Sequence, residues 1–158
     1  MFKELSRKNK QITKEECIEL LTKETRGFLA VNGEDGYPYV MPMNHFYHAE
    51  DGCVYLHCGR HGHRLEALKR SDKVSFCVCE KGYRREGEWA YQVRSVILFG
   101  RIEIITEPKT IADITAKLCR KFTQDEAYIQ KEIEQHAKAT LLLKLSPEHM
   151  CGKRVEES

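Results

Sequence analysis

Long apolar runs are missing from this sequence: no uninterrupted stretch exceeds four residues, as at Val96-Ile97-Leu98-Phe99. A bilayer-spanning helix needs about 20, so no membrane partner is expected. Glycine and proline are also scarce, at 10 and 4 of 158 residues, which excludes collagen-like repeats and low-complexity disorder. Charge of one sign is lacking as well. With 26 basic and 24 acidic side chains the net charge is +2, without the strong positive field by which nucleic-acid binders attract phosphate backbones. Lys69, Arg70 and Lys73, like Lys81, Arg84 and Arg85, are interspersed with acids as on a solvated face. The opening Met1-Phe2-Lys3-Glu4 has no apolar signal-peptide core. The seven cysteines are an odd count for a disulfide framework. A cytoplasmic location is expected, with thiols such as those of Cys77-Val78-Cys79 packing as small hydrophobes.

What is present has the size of one domain, residues 1–158. A fold of this length buries roughly 68–70% of its unfolded surface without staples. Its core is expected over about 8–146, with a loose polar tail at 147–158. Thr13 and Glu16 form a capping box that opens a helix with Cys17, Leu20 and Leu21 on one face, and Gly27 stops it. Residues 28–31, 37–47 and 53–58 read as three strands of an antiparallel meander, joined at Gly33-Glu34-Asp35-Gly36 and Glu50-Asp51-Gly52. Pro38 and Pro42 argue against a regular central position for the second strand. A short helix at 63–70 and a strand at 74–79 follow. A polar, mobile connection over 81–88 then leads to a long strand at 91–105, where Gly100 marks a bulge. Two helices, near 109–122 and 126–136, precede a last strand at 140–145. Six strands with a few helices indicate an α+β fold built on a small barrel.

The densest chemistry lies at His57-Cys58-Gly59-Arg60-His61-Gly62-His63-Arg64, where a strand ends and a helix begins. Unpaired N–H groups and partial positive charge at a helix N-terminus suit a phosphate. Gly59 and Gly62 allow close backbone approach, and Arg60, Arg64 and His63 supply cationic donors. The same segment admits a zinc reading, through Cys58, His61 and His63 with Cys77 and Cys79, but the second ligand pair reads better as core, so no metal is expected. A Cys–His nucleophile needs a lowered thiol pKa that sequence does not reveal. His45 and His48 read as surface or satisfied polar groups, and Trp89 as a packing or interface anchor.

In their order and spacing several segments resemble the pyridoxamine 5′-phosphate oxidase-like, FMN-binding split-barrel superfamily, and within it the nitroimidazole-resistance-protein branch. They are Gly27-Phe28-Leu29-Ala30-Val31, Asp35-Gly36-Tyr37-Pro38-Tyr39-Val40-Met41-Pro42-Met43-Asn44, Val54-Tyr55-Leu56-His57-Cys58, Gly62-His63-Arg64-Leu65, Lys73-Val74-Ser75-Phe76, and the run from Tyr91 to Gly100. The resemblance implies a six-stranded antiparallel split barrel with flanking helices that forms a homodimer with FMN at the subunit interface. It implies that Pro42, Met43 and Asn44 run along the isoalloxazine edge, that His57 and Cys58 line the ring and ribityl chain, and that His63 and Arg64 take the phosphate. Arg94 and Ser95 match positions reaching the flavin from the partner subunit. His57 matches a histidine beside the ring, the catalytic candidate for substrate binding or proton supply.

The implied activity is that of a flavoprotein oxidoreductase. It would take electrons from reduced nicotinamide or another donor and reduce small electron-poor acceptors such as nitroaromatics. The alternative is a non-catalytic flavin- or haem-binding sensor or store, with His57 or His45 on a haem. Arg64 and His63 stand where the family favours lysine, and His45 where it favours an aromatic. The C-terminal tryptophan and arginine signature of true pyridoxamine-phosphate oxidases is not found after Leu145, which weighs against that activity.

Overall fold

Alternation of apolar side chains dictates the architecture. In the computed structural model, which describes residues 1–157, the strands are β1 (Arg26–Asn32), β2 (Pro38–His48), β3 (Cys53–Gly59), β4 (Lys73–Cys79), β5 (Tyr83–Arg84), β6 (Tyr91–Ile105) and β7 (Thr140–Glu157). The helices are α1 (Lys14–Lys23), α2 (His63–Arg70), α3 (Pro108–Cys119) and α4 (Glu126–His136). The sheet runs β4-β1-β2-β3-β7-β6-β5, wholly antiparallel, and β4 also pairs with β6. Six strands therefore close a ring and β5 hangs from its β6 edge. This is the expected α+β split barrel.

Inward-facing Leu29, Val31, Met41, Met43, Val54, Leu56, Phe76, Val78, Val96, Leu98, Leu143 and Leu145 fill the interior. Leu20 and Leu21 of α1, both fully buried, plug one end, and Leu65, Ala67 and Leu68 of α2 pack on the other side of the same core. The α1 capping box forms as read: Glu16 N–H donates to Thr13 Oγ1 (3.1 Å) and Thr13 N–H to Glu16 Oε2 (2.9 Å). Outside the ring, Ile111 and Ile114 of α3 cover Cys53, Tyr55 and Leu142.

Three expectations change. Residues 147–157 are no loose tail but the far half of β7, paired with β6 as far as Tyr91 opposite Glu157. The register shifts between Phe99 and Gly100, opposite Pro147, so the expected bulge at Gly100 is also what lets β7 continue past its proline. Beyond it the inward positions include Met150, which packs against the core, Gly152 and Arg154. At Gly152 an added Cβ would collide with Cys17 and Ile12, and a single methionine makes no apolar alternation to read. The thiols of Cys77 and Cys79 do not pack inside either. Val74, Phe76 and Val78 take the inward positions, leaving Cys77 half-buried and Cys79 exposed on the outer face. The 81–88 connection contains β5, whose Tyr83 and Arg84 pair with Gln92 and Tyr91. Trp89 is 76% exposed, with the Arg84 guanidinium 5.6 Å from its ring centre.

Candidate functional site

The site is a break in the ladder. Pairing of β2 with β3 stops at His45 opposite Leu56, while β2 goes on pairing with β1 out to Pro38 and β3 with β7 out to Gly59. The two strands therefore splay apart beyond that point. Pro42 brings no N–H to any ladder there. One wall of the resulting cleft carries Pro42, Met43 and Asn44, and the other His57 and Cys58. Arg64, in the first turn of α2, reaches between them: its Nη1 lies 3.5 Å from Met43 Sδ.

The electrostatics of the cleft follow from what Arg64 lacks. Among the described residues no carboxylate pairs with it, and its Nε is buried without a hydrogen-bond partner. The chain from His57 to Arg64 contains no acid. Gly62 stands at the N-cap of α2 at φ 123°, a conformation open to glycine, and no side chain caps the helix. Leu65 and Glu66 N–H donate to the Gly62 carbonyl. The N–H groups of His63 and Arg64, at the very start of the helix, have no such intrahelical acceptor. A bare helix N-terminus beside an unpartnered guanidinium is a site for an anion.

The neighbours of Arg64 respond to it. Part of the His57 ring is open to solvent, yet protein surrounds the rest. Burial first, and the Arg64 charge second, pull its pKa below the ordinary histidine value. Burial raises the Cys58 thiol, and Arg64 works against that shift. His57 and Cys58, adjacent on one strand, face opposite ways: Cys58 joins the barrel core and His57 the outer side. His63 is exposed and its ring stands 6.1 Å from that of Tyr39, at the cleft's outer end. Arg60 Nε donates to the Lys138 carbonyl (2.7 Å), tying the loop to the turn after α4.

Arg94 and Ser95 are not brought to this cluster. Arg94 shares the inward side with Val96 and Leu98, at the end of the barrel that α1 plugs. There its guanidinium binds Glu80 (Nε–Oε1 3.1 Å, Nη2–Oε2 3.0 Å) and Glu19 (Nη1–Oε2 3.3 Å), and its pKa is raised by those bonds. Burial alone would raise Glu80, but the Arg94 bonds outweigh it and hold the carboxyl below its usual value. Arg154, opposite Arg94 in the ladder, donates to Glu16 (2.7 Å). These arginines fasten α1 over the barrel. Ser95 points outward, between Cys79 and Lys153.

His45 is fully buried, its Nε2 2.8 Å from the Leu21 carbonyl and its ring edge-on to Phe76 at 5.2 Å. Burial, then the nearby Lys121, lower its pKa to about 4. It is a neutral core residue. Lys121 itself, pulled to about 8 by burial, donates to the Glu24 (2.6 Å) and His45 (3.0 Å) carbonyls. Nothing in the sequence marks this latch, which depends on the α3–α4 turn reaching the end of α1. Also unmarked is a cavity of about 440 Å³ behind His57, under α3 and α4. Among the described residues no three His, Cys, Asp or Glu side chains gather as a metal site, and no helix is long and apolar enough to cross a membrane.

Comparison with known proteins adds to this geometry. The sequence model of the family described as pyridoxamine 5′-phosphate oxidase matches residues 13–154. None of the curated proteins matches the chain. Among solved structures, a candidate 5-nitroimidazole antibiotic resistance protein from Bacteroides thetaiotaomicron superposes with a TM-score of 0.76 at 21% identity, over 92% of this chain and 87% of that one. A FAD-binding protein from Mesorhizobium loti gives 0.65 at 23% identity, over 92% and 96%. A FAD- and haem-binding protein from Mycobacterium smegmatis gives 0.67 at 22%, over 91% and 72%. At these identities the likeness is one of fold.

Proposed function

Because the chain belongs to the pyridoxamine 5′-phosphate oxidase family, we propose that the β2–β3 cleft holds FMN and that the protein is a flavin-dependent oxidoreductase acting on small electron-poor acceptors. The observation that carries this reading is Arg64, a half-buried guanidinium with no anionic partner beside an uncapped helix N-terminus. A terminal phosphate completes both. Arg64, the first-turn N–H groups and His63 would hold it, while Pro42, Met43 and Asn44 on one wall and His57 and Cys58 on the other would flank the ring and ribityl chain. The Mesorhizobium and Mycobacterium proteins are described as FAD-binding.

A flavin held there by Arg64 and the two cleft walls would supply the electron-transfer chemistry between a reduced nicotinamide or other donor and the acceptor. The chain's own contributions are positional. His57, whose pKa partial burial and the Arg64 charge lower, stands beside the cleft with a ring that can donate or accept a hydrogen bond. Met43 and Cys58, both buried, exclude water from its floor. Arg60 keeps the loop between the cleft and α2 tied down.

A homodimer belongs to the same proposal. On the outer face the register sets Pro42, Phe28, Cys77, Ile97 and Cys151 in one apolar row across five strands. Phe28 is 47% and the adjacent Val40 55% exposed. A second copy covering that row would adjoin the cleft at Pro42 and meet Ser95 in the next row.

The test is an absorption spectrum and a reoxidation experiment. The protein is expected to take up about one FMN per subunit, and after anaerobic reduction a 5-nitroimidazole is expected to reoxidise it faster than buffer does. Protein that stays colourless with excess FMN would overturn the reading. Bound flavin indifferent to every acceptor would leave a store or sensor.

A further inference from the structure

The cavity behind His57 is not used by the flavin reading. It lies between α3, α4 and the end of β3 and β7, with a volume of about 440 Å³, within the range of small-molecule sites. Ile111 and Ile133 supply apolar wall, and His57 stands on the side nearest the cleft. Its polar groups are few and unevenly satisfied. Thr115 Oγ1 is buried with no hydrogen-bond partner, although a helical threonine ordinarily bonds the carbonyl one turn back. Such an orphan is costly to bury, and a ligand atom would relieve it. Glu132 is the one carboxylate on the lining, and no lysine or arginine lines the cavity with it. The nearest counter-group is the largely exposed His136, Nε2 3.7 Å from Glu132 Oε2.

We infer that this cavity binds the electron acceptor, and that it takes a small neutral or cationic aromatic ring while rejecting anions. The inference rests on the flavin reading of the adjoining cleft. The ring lies against Ile111 and Ile133, a polar atom of the ligand meets Thr115 Oγ1, and a cationic arm lies toward Glu132. His57 then stands between acceptor and cleft, facing both. Specificity by charge resides in Glu132 and by hydrogen bonding in Thr115, on helices that contribute nothing to the phosphate end of the cleft.

The experiment uses three 5-nitroimidazoles, with hydroxyethyl, aminoethyl or carboxymethyl arms. Each is titrated into full-length protein with and without FMN and followed by calorimetry and saturation-transfer NMR. The first two are expected to bind and the carboxymethyl compound at least about tenfold more weakly. Thr115→Val, which keeps the shape, should weaken the hydroxyethyl compound about five- to tenfold. Glu132→Gln should abolish the preference among arms, and Ala112→Phe, filling the cavity, should abolish binding. FMN affinity, read by flavin fluorescence, should stay unchanged in all three. Probe binding unaltered in both Thr115→Val and Ala112→Phe would overturn the inference. So would loss of FMN together with the probe, because the cavity would then be part of the flavin site. Probe binding that responds to the variants in protein unable to take up FMN would instead overturn the flavin reading and leave the cavity as a binding site.

Discussion

Replacing Arg64 separates the two things its side chain could be doing. If it were structural, truncation would unfold the protein, yet its polar contacts are with sulfur alone, Met43 Sδ at 3.5 Å and the Cys58 thiol, and its Nε has no partner. Arg64→Ala should therefore cost less than about 1 kcal/mol of stability, the scale of a change away from any network. Affinity for a phosphate ester should behave otherwise. A hydrogen bond to a charged group is worth about 1.5–3 kcal/mol, and about 1.4 kcal/mol is tenfold in affinity. FMN binding should accordingly weaken roughly 10- to 150-fold. Arg64→Lys keeps the charge but loses the planar fork and should fall between. Riboflavin is the internal control, since it has ring and ribityl chain without phosphate. Its affinity, measured by the same quenching of flavin fluorescence, should be nearly equal in wild type and Arg64→Ala. An equal loss for FMN and riboflavin would refute the placement of the phosphate, and collapse of the fold would refute the account of Arg64 as unpartnered.

The remaining predictions concern the frame around the cleft. His45 has a folded pKa of about 4 against an ordinary 6.5, so the unfolded chain takes a proton that the folded one refuses. Its contribution to stability is whole above about pH 6.5 and falls by about 3 kcal/mol as pH drops to 4. Urea melts of wild type and His45→Phe at pH 7 and pH 4.5 should show the flatter pH dependence in the variant, and parallel curves would count against it. Glu80→Gln leaves the half-buried Arg94 with only the longer contacts to Glu19 and Glu16 as carboxylate partners and should cost about 2–3 kcal/mol, read as a lower urea midpoint; an unchanged midpoint would remove Arg94 from the fastening of α1. Gly152→Ala sets a methyl against Cys17 Sγ and Ile12 and should cost about 1–3 kcal/mol. Adding Cys17→Ala should recover part of that loss, whereas simple additivity would place the strain elsewhere.

The elements legible in the sequence are those whose signals are local. The α1 capping box needs only Thr13 and Glu16 three residues apart, and the bulge at Gly100 needs only a glycine inside a long strand. The inward alternation of Val74, Phe76 and Val78 is equally local, yet the cysteines between them were misassigned. Apolar character alone does not say which face of a strand looks inward, and parity does. Arg94 is the same lesson in reverse. Its neighbours Val96 and Leu98 put it on the inward side, and only the position of α1 explains why an arginine can stand there. The far half of β7 carried no readable pattern because, of its inward positions, Met150 joins the core while Gly152 makes room for Cys17 of α1 and Arg154 binds Glu16.

The cleft itself is the least local feature, and it explains why residues that are scattered in sequence act together. Pro42 to Asn44, His57 to Cys58, and Arg64 are drawn together by where a ladder stops. β1 holds β2, β7 holds β3, and neither constraint can be read from β2 or β3 alone. Once the strands part, each wall still has one hydrogen-bonded neighbour, so the cleft is framed by sheet on both sides and does not depend on a ligand to stay open. Arg64 enters it from a helix whose own packing through Leu65 and Leu68 is independent of the guanidinium. The charge can therefore stand unpaired without unravelling its support. A fold that separates the residues fixing the cleft from those meeting the ligand can change its ligand by substitutions at 63, 64, 115 or 132 and keep its barrel.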